Sequence, residues 1–141
     1  MNNYVIIPCG GQKLPHAAHA DELYTGSMFQ DTLRTALMMT DRNNIFILSA
    51  KYGLVMLDVV LPPYDLKMGD PGSVTPGQVQ RDLREMLDFS EPFTISALLP
   101  KAYLKVLRDA YNFEIENCFE GCKGIGYQKA RLAEIRKAVN A

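Results

Sequence analysis

Hydrophobic residues in this chain fall into a few short solid runs, separated by longer stretches in which they recur every three or four positions. Tyr4-Val5-Ile6-Ile7-Pro8, Ile45 to Ser49 and Phe93 to Leu98 are the solid runs. Their β-branched and aromatic content, and the Gly, Asn or Pro beside them, predict strands buried on both faces. Phe113 to Phe119 alternates more, which predicts a fourth strand nearer a sheet edge. Helical spacing fills the intervals. Ser27, with Gln30 three residues on, reads as a capping box. Met28, Leu33, Leu37 and Met38 then supply an apolar face up to about Thr40. Thr75-Pro76 reads as an N-cap and first helical residue, with Val79, Leu83, Met86 and Leu87 on one face. Pro100 opens a helix carrying Ala102, Leu104, Val106, Leu107 and Ala110, and a last helix is expected from about Tyr127 to Val139.

Strand followed by helix, four times over, implies parallel strands joined by right-handed crossovers. The expected architecture is α/β: one three-layer domain over residues 1–141, with about four mainly parallel strands in a Rossmann-like arrangement. A chain of 141 residues can bury the core of one such domain, and no repeat, low-complexity tract or linker divides it. Ligands of these sheets bind outside the carboxyl ends of the strands. The loops expected there are Cys9 to Lys13, Ser49 to Gly53, Leu99 to Lys101 and Gly121 to Gly126. Each holds a lysine, so Lys13, Lys51, Lys101 and Lys123 are expected to gather at one rim.

That local charge is hidden in bulk. Net charge is −1, so no overall basic field points to tight, non-specific DNA binding. No apolar run reaches the roughly 18 residues of a membrane span. Met1-Asn2-Asn3 leads directly into a strand-like segment rather than a signal peptide. A cytoplasmic protein with no membrane partner is expected. Three cysteines, an odd number, do not make a disulfide framework.

Gly10-Gly11 directly after a strand brings backbone N–H groups close to an anion, with Lys13 adding charge; a plain glycine turn explains the same residues. Gly121 to Gly126 has glycines but not the order of a dinucleotide loop, and by itself reads as a tight connection. Cys9 ends the first strand, where a nucleophile would sit if Lys13, His16 or His19 activated it; a lone cysteine is more often a small buried apolar residue. Cys118 and Cys122 lack a second ligand pair, so neither metal nor cofactor is expected. His16 and His19 read as solvated.

Leu48 to Asp70 is different in kind. Ser49, Lys51, Tyr52, Asp58, Tyr64 and Asp65 lie within seventeen residues, framed by Gly53 and Pro62-Pro63. Tyrosines stack on bases or donate from their hydroxyls. An aspartate serves as a base or stabilises an oxocarbenium-like centre. Long irregular loops are usually functional, although a flap that closes the sheet edge would also account for this one. Ser49 ends a central strand and the two prolines stiffen the return. Tyr52, Tyr64 and Asp65 are therefore expected to meet over the carboxyl ends of the first two strands, facing Cys9 and Gly10.

Leu23-Tyr24-Thr25-Gly26, together with "LSAKYGLV" and "PYDLKMG" between Leu48 and Gly69, resembles the YaaA peroxide-stress family. A closer resemblance is to a small group of bacterial and phage domains related to it. That likeness runs through Pro8 to Lys13, "GDPGSVT" from Gly69, "LLPKAYL" from Leu98 and "GIGYQ" from Gly124. The resemblance implies a nucleotide or nucleic-acid context, since YaaA proteins are associated with DNA binding and protection from oxidative DNA damage. It implies an enzyme acting on a nucleotide, nucleoside or nucleic acid; with the aspartates and tyrosines of the central stretch, the expected reaction is cleavage or exchange of an N-glycosidic bond. Asp65, Asp58 and Cys9 would be catalytic. Gly10, Gly11, Lys13, Tyr24, Ser49, Lys51, Tyr52, Tyr64, Gly124 and Gln128 would bind the substrate. The alternative is a non-catalytic DNA- or nucleotide-binding protein of phage or stress-response origin.

Overall fold

The computed structural model describes residues 1–140. In chain order its elements are β1 (Asn2–Pro8), β2 (Ala18–His19), α1 (Ala20–Leu23), α2 (Ser27–Met39), β3 (Ile45–Ser49), β4 (Gly53–Met56) and β5 (Val60–Leu61). They continue as α3 (Pro76–Met86), β6 (Phe93–Ala97), α4 (Lys101–Ala110), β7 (Glu116–Asn117) and α5 (Ile125–Asn140). The fold is mixed α/β. Five strands form one sheet in the order β4-β3-β1-β6-β7. All neighbours are parallel except β4, which runs antiparallel to β3. A two-residue ribbon, β2 with β5, lies outside the sheet.

The solid apolar runs became the central strands because parallel strands covered on both sides need apolar residues at every position. Ile6, Ile47 and Leu48 are fully buried and Ile95 almost so. Cys9, Ser49 and Pro100 stand at the strands' carboxyl ends, as expected. α3 also forms as its residues dictate. Thr75 Oγ1 accepts the Gln78 N–H at 3.2 Å, Pro76 fills the first helical position, and Val79 and Leu83 face the core.

Other elements depart from expectation for identifiable reasons. Gly26, not Ser27, is the N-cap of α2, and no side chain caps it. The buried side of α2 is Phe29, Thr32, Thr35 and Ala36, while Leu37 is exposed. Thr32 and Thr35 donate their hydroxyls back to the carbonyls of Met28 and Asp31 at 2.8 and 2.9 Å. So satisfied, the small threonines can be buried, and the helix turns a different face inward than hydrophobicity alone suggests. In α4, Leu104, Leu107 and Ala110 are buried but Ala102 is exposed. The fourth parallel strand shrinks to Glu116–Asn117 at the sheet edge, and α5 begins at Ile125 rather than Tyr127.

The stretch after Leu48 is not wholly irregular. Gly53–Met56 returns as an antiparallel edge strand, with Leu54 and Val55 buried. Its turn needs glycine: Gly53 has φ +79°, and a Cβ there would collide with the Asp82 carboxylate of α3. Asp82 Oδ2 accepts the Leu54 N–H at 3.1 Å, and Gln78 Nε2 donates to the Tyr52 carbonyl at 3.3 Å. α3 thereby fixes the turn that carries Tyr52.

The chain leaves β1 through α2 toward β3, and leaves β6 through α4 toward β7, on the other side. α2 packs on α5 and α3 on α4. Right-handed crossovers running in opposite directions put α2 and α4 on opposite faces. A crevice therefore opens between the carboxyl ends of the neighbouring strands β1 and β6. Among the described residues no helix is long and apolar enough to cross a membrane.

Candidate functional site

Two groups of side chains occupy the carboxyl rim of the sheet. The first is built on β3. Ser49 Oγ, fully buried, accepts the N–H groups of Lys51 and Tyr52 at 3.2 and 3.0 Å, which fills both of its lone pairs. Its hydrogen is thus directed to the Tyr64 hydroxyl at 2.8 Å, and Tyr64 donates in turn to the Tyr24 hydroxyl at 2.7 Å. Tyr52 meets the Tyr64 ring edge-on, with centroids 5.4 Å apart. Tyr24 is positioned by a bridge to Lys13, flanked by the Leu14 N–H to Leu23 carbonyl and Thr25 N–H to Gln12 carbonyl bonds. That bridge lays Lys13 Nζ over the Tyr64 ring at 4.3 Å and within 3.4 Å of the Gly11 carbonyl. Lys51 Nζ lies 5.4 Å from the Tyr52 ring centre. Burial pushes the Tyr24 phenol up to about 12. Burial, and then the neighbouring Cys9, also raises Tyr64 well above the ordinary tyrosine range. The hydroxyls of Ser49, Tyr64 and Tyr24 thus answer one another.

The second group lines the carboxyl ends of β1, β6 and β7. An inner arm of about 150 Å³ is bounded by Cys9, Gly10, Phe29, Tyr103, Phe119 and Ile125. An outer chamber of about 560 Å³ is bounded by Lys101, Asn117, Glu120, Lys123 and the glycines Gly121 and Gly124. Pro100, Phe119 and Gln128 line both, so the two make one cleft. The outer chamber alone is in the usual volume range for a small-molecule site. In the inner arm Cys9 Sγ lies 3.2 Å from the Tyr103 hydroxyl. Burial, with Cys9 next in size, holds the Tyr103 phenol well above its ordinary range, so it stays a neutral donor. Gly121 and Gly124, at φ +82° and +154°, shape the wall that leads into α5.

The sequence-read candidates divide between these groups. Gly10, Cys9, Gly124 and Gln128 line the cleft. Lys13, Tyr24, Ser49, Tyr52 and Tyr64 belong to the tyrosine cluster; Lys51 and Gly11 are exposed. The four rim lysines split two and two rather than sharing one pocket. The two tyrosines meet over the strand ends as expected, but Asp65 does not join them. With Tyr64 turned inward, Asp65 beside it is exposed and lines neither part of the cleft. Asp58 is also outside: it pairs with Arg42, which also holds Asp21, because the β2–β5 ribbon carries it away from the strand ends. His19 Nδ1 lies 2.8 Å from the Asp58 carbonyl, and both histidines are exposed. Sequence reasoning missed Glu120, Tyr103 and Phe119. Glu120 sits one residue before the glycine loop already singled out, and Tyr103 lies on the first turn of a helix leaving a strand end; attention to those flanks would have found both.

Residues 4–134 match the model of a family described as a family of unknown function, DUF6884. The chain belongs to that family. No curated protein matches it.

Proposed function

We propose that this protein is an enzyme acting on a nucleotide or nucleoside phosphate, which it binds in the cleft at the carboxyl ends of β1, β6 and β7. One observation carries the reading: a cleft with a cationic outer chamber and an apolar inner arm, joined end to end. Lys101 and Lys123 suit a phosphate, as do the free N–H groups at the first turns of α4 and α5, where the helix dipoles are positive. The inner arm, walled by Phe29, Phe119 and Tyr103, suits a flat, uncharged ring. The sugar would bridge the two, and the reaction there transfers the anomeric carbon from the base nitrogen to water, or to an incoming base in exchange, while the departing base takes up a proton.

Such chemistry needs a carboxylate beside the electron-poor sugar carbon and a donor to the departing base. Glu120 is the carboxylate lining the cleft among the described residues, and we assign it the role the sequence suggested for Asp65 and Asp58. Tyr103, kept neutral, supplies the donor at the base end, with Cys9 as its partner. The resemblance of the Tyr24-Thr25-Gly26 and Leu48 to Gly69 motifs to YaaA proteins supports the same substrate class.

A second reading, a nucleotide-binding protein without turnover, is favoured by the solvent positions of Asp58 and Asp65. Incubation with a panel of nucleotides and short DNAs, followed by mass spectrometry for free base, separates the two. Base release from a nucleotide is expected. Saturable binding with no product would leave only the second reading.

A further inference from the structure

We infer that Gln128 selects the ring held in the inner arm, reading one edge of a nucleobase that presents a donor next to an acceptor. This rests on the assignment of the cleft to a nucleotide and adds the chemical identity of its head group.

Four polar side chains face the inner arm: Cys9, Thr32, Tyr103 and Gln128. Cys9 and Tyr103 bond each other at 3.2 Å, and the one proton that pair has left is already assigned to the departing base. Thr32 donates to the Met28 carbonyl within its own helix. Asn117, in the outer chamber, accepts the Phe119 N–H at 3.2 Å. The Gln128 backbone N–H closes the first turn of α5 on the Gly124 carbonyl at 3.0 Å. Its side-chain amide has no partner among the described residues. It is half-buried and stands at the neck, lining both the arm and the chamber. An amide offers one acceptor beside two donors, so it can pair in two places with an edge carrying one donor and one acceptor, the way glutamine pairs with adenine.

Size supports the same occupant. At about 150 Å³, the arm equals the liquid volume of about five waters at ~30 Å³ each. That is room for a base, with the sugar and phosphate left in the chamber. A neighbouring apolar wall sharpens the choice, because a ring that could not satisfy the amide would leave it buried and unpaired.

Isothermal titration with AMP and with ribose 5-phosphate tests this on the wild-type chain and on Gln128→Leu and Gln128→Glu, with circular dichroism as the check on folding. AMP should bind the wild type at least tenfold more tightly than ribose 5-phosphate does. Gln128→Leu should remove most of that advantage while leaving ribose 5-phosphate affinity unchanged. Gln128→Glu, which offers only acceptors, should weaken AMP and favour GMP, whose base edge carries two adjacent donors. Equal loss for AMP and ribose 5-phosphate, or no change for either, would overturn the role of Gln128 while leaving the nucleotide reading intact. Failure of every nucleotide and of ribose 5-phosphate to bind the wild type would overturn both.

Discussion

The tyrosine cluster on β3 and the cleft beside β6 share one rim of one sheet, yet they differ in what remains for a ligand to do. In the cluster the hydroxyls of Ser49, Tyr64 and Tyr24 are paired: Ser49 serves two N–H groups and Tyr64, and Tyr64 serves Tyr24. In the cleft there is space, and there are uncommitted groups, with Lys101, Lys123, Glu120 and the Gln128 amide facing it. Density of reactive side chains marks the first region; room and unsatisfied chemistry mark the second. A buried polar network that is fully paired stabilises and specifies a fold. A binding site needs convergent polar groups left over.

Variants on the two sides should therefore separate function from stability. The largest effect is expected from Glu120→Gln, which keeps size but removes charge. Base release should fall by about 10²–10⁴-fold, the usual scale for a positioned acid or base, with substrate affinity kept; single-turnover assays measure this. Lys101→Ala or Lys123→Ala should each weaken nucleotide binding by roughly 1.5–3 kcal/mol, the scale of a charge-assisted hydrogen bond. Lys13→Ala and Lys51→Ala, on the cluster side, should change it little. Calorimetric titration of the four variants would break the comparison if the pattern came out reversed.

Tyr64→Phe is expected to do the opposite. It leaves Ser49 and Tyr24 short of a partner, so unfolding free energy should drop by about 1–3 kcal/mol in urea, with nucleotide affinity unchanged. The same cluster sets an alkaline limit. Burial raises Tyr24 from 10.0 to about 12, so the unfolded phenol ionises first. Stability present below pH 10 should be lost as pH rises toward 12, measurable as a falling melting temperature. The smallest effect is expected from Asp65→Asn: an exposed carboxylate away from the cleft should alter neither turnover nor stability appreciably.

What could be read directly from the chain follows from the same contrast. Strands β1, β3 and β6 are legible because burial on both faces forces continuous apolar runs, and α3 because Thr75 and Pro76 are local signals. The face of α2 was not, since Thr32 and Thr35 satisfy their hydroxyls within the helix and pass for surface residues. β4 was hidden because the turn at Gly53 depends on Gln78 and Asp82, 25 and 29 residues further along the chain. The site was half legible. Cys9, Gly10, Gly124 and Gln128 flank strands or helices in a recognisable way. Which rim residues face an open crevice depends on the order of the strands, and that order joins the loop after β1 to those after β6 and β7. Asp65 attracted attention because it neighbours Tyr64, but adjacent residues point in different directions.

Whether the crevice or the tyrosine cluster receives the ligand is decided by mapping backbone amide shifts in an NMR titration with AMP. Gly10, Lys101, Gly121 to Gly126 and Gln128 should move together with one saturating curve, while Tyr52, Tyr64 and Asp65 stay still. Shifts centred on Lys13, Lys51 and Tyr64, with the α5 entry unmoved, would contradict it.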